Sequence, residues 1–117
     1  MDFTLTEKFT RDEKKTICTA FFVWENEDPS GFSAAVKRDV KNGIPSARRK
    51  VMSDARTFSY AEYAAIEYTI ICLYDWFLHP PEEFDPADRE QNLDMYLSLI
   101  RSVARKIRCD FDFDSIH

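Results

Sequence analysis

Residues 59–78 have the sequence SYAEYAAIEYTIICLYDWFL and contain the longest apolar region of the chain, residues 63–78. Ser59 and Glu62 have the spacing of a capping box, in which two side chains satisfy free backbone N–H groups at the start of a helix. The polar residues of the stretch point in different directions around a helical wheel; they are Glu62, Glu67, Thr69 and Asp75. A helix that is apolar on nearly every side belongs in the interior of a protein. We therefore predict that residues 59–78 form the central helix of the fold.

A first helix is predicted before this stretch, over about residues 10–26. Thr10 and Glu13 form a second capping box, and apolar residues then recur at helical spacing as far as Trp24. The segment 26–31, Asn-Glu-Asp-Pro-Ser-Gly, is dense in residues that break helices. The first helix is therefore expected to end there.

Two short helices are predicted between the first helix and the central one. Ser33 can cap the first of these, and Gly43 can end it, because glycine commonly adopts the left-handed conformation that closes a helix. The second then starts at Pro45 or Ser46, since proline is tolerated in the first turn of a helix. It is expected to run to about Arg56.

The remaining pattern completes a helical bundle. A last helix is predicted over about residues 92–107, where apolar residues repeat at steps of three and four. The chain has only two glycines, too few for the hairpin turns of a β-sandwich or barrel. The expected fold is mainly α, a compact bundle of about four to five helices around the central helix 59–78. A length of 117 residues with 44% hydrophobic content predicts a single domain over residues 1–117.

Both ends of the chain show the alternation that is typical of strands. Phe3 and Leu5 alternate with polar residues, and residues 107–113 alternate apolar side chains with charged ones. We therefore expect a short two-stranded ribbon between the N-terminal and C-terminal segments. The alternative is that residues 109–113 are a tail that docks on a partner.

The sequence predicts a cytoplasmic location. Its start has neither the basic nor the apolar region of a secretory signal. The apolar region 63–78 is shorter than the roughly 20 residues that span a bilayer, so no membrane association is expected. The three cysteines, Cys18, Cys72 and Cys109, are widely spaced, which favours packing roles in a reducing compartment.

No catalytic residue, metal site or cofactor is predicted. The chain has two histidines and no cluster of ligands with the spacing of a zinc site. Phosphate-binding and nucleophile motifs are also missing. His79 follows Asp75 by four residues, a spacing that predicts a contact at a helix end. Of the two carboxylates early in the central helix, Glu62 and Glu67, one is expected to cap the helix and the other to pair with a base.

Acidic residues dominate the second half of the chain. Residues 75–95 contain seven acids and one base, and the whole chain has a net charge of −5. Aromatic side chains among the acids could anchor a partner, which charge alone does not do. The acidic surface predicted to bind a partner consists of Glu82, Glu83, Phe84, Asp85, Asp88, Glu90, Asp110, Phe111, Asp112, Phe113 and Asp114. This pattern favours a small protein-binding module that covers a basic surface of another protein, as an inhibitor, antitoxin, immunity protein or phage anti-defence protein would.

Basic residues are concentrated between positions 37 and 56, where seven bases accompany two acids. The bases are Lys37, Arg38, Lys41, Arg48, Arg49, Lys50 and Arg56. They could contact phosphates or an acidic partner, so one alternative function is a nucleic-acid-associated regulator. A pI near 5.0 argues against general nucleic-acid binding. A third hypothesis is an enzyme with a site that no motif reveals.

Overall fold

The computed structural model describes residues 3–27, 31–78 and 86–109. Within these ranges the chain forms four helices and a two-stranded ribbon. The elements are β1 (Phe3–Thr4), α1 (Arg11–Glu27), α2 (Ala34–Met52), β2 (Thr57–Phe58), α3 (Tyr60–Leu78) and α4 (Pro86–Lys106). The predicted mainly helical, compact fold is confirmed. None of the helices in the described ranges is long and apolar enough to cross a bilayer.

The helix α3 lies at the centre of the core, as its composition predicts. It packs against α1, α2 and α4. Ile66, Ile70, Leu73 and Tyr74 are buried almost completely. At 100° per residue these four side chains lie within about 100° of one another, so they form the most deeply buried face of α3.

The helix α2 is continuous where the sequence predicts two short helices. Gly43 does not end a helix; it is buried against α3, and a Cβ atom added there would lie 2.7 Å from the carbonyl carbon of Ala61. Glycine therefore lets the two backbones approach closely. Pro45 lies inside α2 on its exposed side. The burial of Val40 and Ala47 on the opposite side holds the helix together across the proline.

The ribbon is present at the N-terminal segment, but its second strand differs from the expected one. Phe3 pairs with Phe58 and Thr4 with Thr57, so β1 is antiparallel to β2. Residues 107–109 follow α4 as a turn, in which Arg108 has a φ of 56° and the Cys109 N–H donates to the Ala104 carbonyl at 2.9 Å. The prediction of a strand is therefore wrong for these three residues. Residues 110–113 lie outside the described residues, so the choice between strand and docking tail stays a prediction there.

The last helix begins earlier than predicted. α4 includes Pro86, which suits a first turn because proline lacks the N–H that a helix leaves unpaired there. It ends at Lys106, with Arg105 and Lys106 in its last turn, where cations complement the helix dipole. Ile100, Val103 and Ile107 turn towards the core.

Candidate functional site

An apolar groove lies where α1, α3 and α4 meet. Its volume is about 210 Å³. The residues that line it are Asp12, Lys15, Thr16 and Thr19 from α1, Leu73 and Phe77 from α3, and Met95, Tyr96 and Leu99 from α4. On each helix these positions recur at steps of one, three or four residues, so each helix presents one face to the groove.

The floor of the groove is aromatic. The rings of Phe77 and Tyr96 stack with their centroids 4.7 Å apart and their planes 5° apart. Leu73 and Phe77 are buried, whereas Met95 at the edge is 51% exposed. Methionine has an unbranched, polarizable side chain that adapts to different neighbours. The groove therefore offers a preformed floor and an adaptable edge to an incoming apolar side chain.

The edge that α1 contributes is less polar than its sequence suggests. The hydroxyl of Thr16 donates to the carbonyl oxygen of Asp12, and that of Thr19 donates to the carbonyl oxygen of Lys15, both at 2.9 Å. Because these donors are used within the helix, the two threonines can present their methyl groups to the groove. Asp12 and Lys15 are exposed and place one charge of each sign at the edge.

In the described ranges, two buried carboxylates lie outside the groove, and the first of them is Glu13. Its Oε1 accepts from the Thr10 N–H at 2.7 Å and from Nζ of Lys106 at 2.6 Å, and its Oε2 accepts from the Ser102 hydroxyl at 2.6 Å. Burial favours the neutral acid, but the hydrogen bonds from Lys106, Ser102 and Thr10 outweigh it and lower the pKa of Glu13. Glu13 thus ties the start of α1 to the end of α4.

The second buried carboxylate, Glu62, joins α3 to α2. Its Oε1 accepts from the Ser59 N–H and from Nζ of Lys50, both at 2.7 Å. Although burial opposes its charge, these contacts lower the pKa of Glu62 to about 2. Glu62 performs both roles that the sequence predicts for Glu62 and Glu67 separately, capping and pairing with a base. Its contacts are those of a structural residue.

The helix α2 brings together five of the seven bases that lie between positions 37 and 56. At 100° per residue they lie within about 120° of one another around the helix; they are Lys37, Arg38, Lys41, Arg48 and Arg49. Arg48 also pairs with Glu25 at 2.6 Å and lies over the ring of Phe21. Lys50 lies on another side of α2, paired with Glu62, and Arg56 follows the helix. The structure therefore separates these two from the rest.

Two of the three cysteines, Cys72 and Cys109, pack against the core as the sequence predicts, whereas Sγ of Cys18 contacts Sδ of Met52. All three are half-buried, and none of them forms a disulfide. Burial raises the pKa of the Cys72 thiol to about 11, with Asp75 and Glu27 adding to the shift, and burial also raises the pKa of Cys18. Thiols with raised pKa values stay protonated at neutral pH, which makes them poor nucleophiles.

The acidic surface predicted from the sequence falls largely outside the described residues. Those outside are Glu82, Glu83, Phe84, Asp85, Asp110, Phe111, Asp112, Phe113 and Asp114, and His79 is outside as well. Asp88 and Glu90 belong to α4, where the structure describes the backbone but not their side chains. The acidic surface therefore stays a prediction. The sequence does not predict the groove, because the residues that line it come from three helices and form no local motif.

In the part of the chain that the structure describes, no group of three or more His, Cys, Asp or Glu side chains could hold a metal ion. No protein-family model, curated protein or solved structure matches this chain.

Proposed function

We propose that this protein is a small protein-binding module whose partner places an apolar side chain of a basic segment in the groove between α1, α3 and α4. The observation that carries the proposal is the groove itself. Protein interfaces take most of their binding energy from a few aromatic or aliphatic anchors that fill desolvated pockets. A groove of about 210 Å³ with a stacked aromatic floor is suited to one such anchor.

The charge of the chain supports a basic partner. The groove residue Phe77 lies just before the acidic segment 79–91 in the sequence, and Met95 lies just after it. Asp94, next to Met95, is exposed. A net charge of −5 attracts a basic surface and speeds the encounter with it. Small size and a net negative charge are the design expected of an inhibitor, antitoxin or immunity protein that covers a basic surface of a nucleic-acid enzyme.

The proposal is tested by capturing the partner and measuring its affinity for groove variants. The tagged protein is used as bait in an extract of its native cells, and a captured basic protein is purified for calorimetry. We expect Met95→Ala to weaken binding about tenfold or more, because it removes half-exposed apolar surface from the groove edge. Tyr60→Ala is the matched control, since Tyr60 is also exposed but lies at the start of α3, outside the groove.

Two results would contradict the proposal. One is the recovery of no basic protein by the bait. The other is a captured partner that binds the Met95 variant as tightly as the wild type.

A further inference from the structure

A second candidate surface, which is basic, lies along the seam between α1 and α2. The two helices are antiparallel there: Lys14 pairs with Asp54 near one end of the seam, and Glu25 pairs with Arg48 further along it. Between these ion pairs, Sγ of Cys18 lies 3.8 Å from Sδ of Met52. The ion pairs and the sulfur contact hold the seam closed.

Two large apolar side chains project from this seam into solvent. Phe22 is 63% exposed and Met52 is 61% exposed. Phe22 lies one helical turn after Cys18, and Met52 contacts Cys18, so the three side chains form one patch. We call Cys18, Phe22 and Met52 the seam patch. Contiguous exposed apolar groups of this kind mark interaction sites more often than isolated ones do.

Bases surround the seam patch. Lys15 precedes Cys18 by three residues, and Arg48 and Arg49 precede Met52 by four and three, spacings that make side chains neighbours on a helix. Arg38 and Lys41, both exposed, extend the basic side of α2 away from the patch. From Lys37 to Arg49 this basic side is about 18 Å long at 1.5 Å per residue.

The acids near the seam cancel only the charges of Arg48 and Lys14, which leaves Lys15, Arg38, Lys41 and Arg49 as the excess. Glu25 and Asp54 are engaged with Arg48 and Lys14. Asp39 projects from a different side of α2 than Arg38, Lys41 and Arg49. An excess of positive charge therefore borders two exposed apolar side chains.

We propose that the α1–α2 seam is a second docking surface, which binds an acidic protein segment with an aromatic or aliphatic side chain that covers the seam patch. The proposal does not depend on the groove between α1, α3 and α4. Charge complementarity selects the acidic partner. The exposed methionine favours a protein over a nucleic acid, because the phosphate backbone gains nothing by covering an apolar side chain. The net charge of −5 also repels a long polyanion more than a short acidic segment that contacts only this face.

The test uses a fluorescent synthetic peptide of about 14 residues, which spans about 20 Å as a helix. Its sequence places leucine and phenylalanine on one helical face and glutamate on the others. Fluorescence anisotropy measures binding to the full chain at low and at moderate salt. We expect binding that weakens as salt rises, and a loss of tenfold or more in affinity for Phe22→Ala and for Arg49→Glu.

Controls separate docking from loss of structure. Phe22 and Arg49 are exposed, so both variants should melt as the wild type does. Arg105→Glu changes an exposed arginine of α4 by the same charge and should bind the peptide nearly as tightly as the wild type. A peptide with lysine in place of glutamate should not bind.

Three outcomes would overturn the proposal. The first is peptide binding that is absent, or equal in the wild type and the two seam variants. The second is tighter binding of a fluorescent oligothymidylate, dependent on Phe22, which would assign the surface to single-stranded nucleic acid. The third is self-association of the chain that the two seam variants abolish while the peptide does not bind, which would make a second copy the occupant.

Discussion

Replacement of Gly43 by alanine tests the closest approach between α2 and α3. A Cβ atom at this position would lie 2.7 Å from the carbonyl carbon of Ala61 and 3.3 Å from the Cβ atom of Ala65. The first contact is with backbone, which cannot rotate away, so the two helices must move apart. Overpacking of a core costs about 1–3 kcal/mol, and a backbone contact places this variant near the upper end. Alanine recovers about 1 kcal/mol of helix propensity, which leaves a net loss of about 2 kcal/mol.

Thermal unfolding followed by circular dichroism measures this loss. For a chain of 117 residues the unfolding entropy is about 0.25 kcal/mol/K, so Tm should fall by about 8 °C. Asn42→Ala is the control, because Asn42 is exposed in the same helix and gains propensity without a contact. Its Tm should equal or exceed that of the wild type. A Gly43→Ala variant that melts as high as Asn42→Ala would refute the close approach of the two backbones.

Three further outcomes are expected. The pKa of Glu62 is about 2 in the folded protein against 4.5 in the unfolded chain, so acidification from pH 4.5 to 2 protonates the unfolded state first and lowers the free energy of unfolding by up to about 3 kcal/mol. Urea unfolding across this range should show a weaker pH dependence for Glu62→Gln than for the wild type. An equal pH dependence would contradict the lowered pKa of Glu62. Ile70→Asp places an unpaired charge at a fully buried position of α3 and should abolish folding; a helical, cooperatively melting variant would contradict the central position of α3. Pro45→Ala restores a backbone donor inside α2 and should raise the free energy of unfolding by about 1–2 kcal/mol, whereas a decrease would favour a helix that starts at Pro45.

The starts of α1 and α3 could be predicted from the sequence because capping is local. The Thr10 N–H donates to Glu13 at 2.7 Å, and the Glu13 N–H donates back to the Thr10 hydroxyl at 3.1 Å. Ser59 and Glu62 form the same pair of hydrogen bonds. All partners lie within three residues of one another, so the spacing in the sequence already specifies the geometry.

The central position of α3 also follows from the sequence. Its composition leaves no face that water would solvate well, and a helix of this kind must be covered on all sides by the rest of the chain. The sequence does not state which helices cover it. That depends on the lengths and directions of the connections.

The continuity of α2 and the composition of the candidate sites were decided by tertiary structure alone. Glycine and proline two positions apart are local signals for a break, but the burial of one face of α2 against α3 outweighs them. Residues 15 and 73 line the same groove, and residues 18 and 52 meet at the seam, although they are far apart in the sequence. Contacts between distant residues depend on how whole helices pack, and no short pattern in the chain encodes that packing.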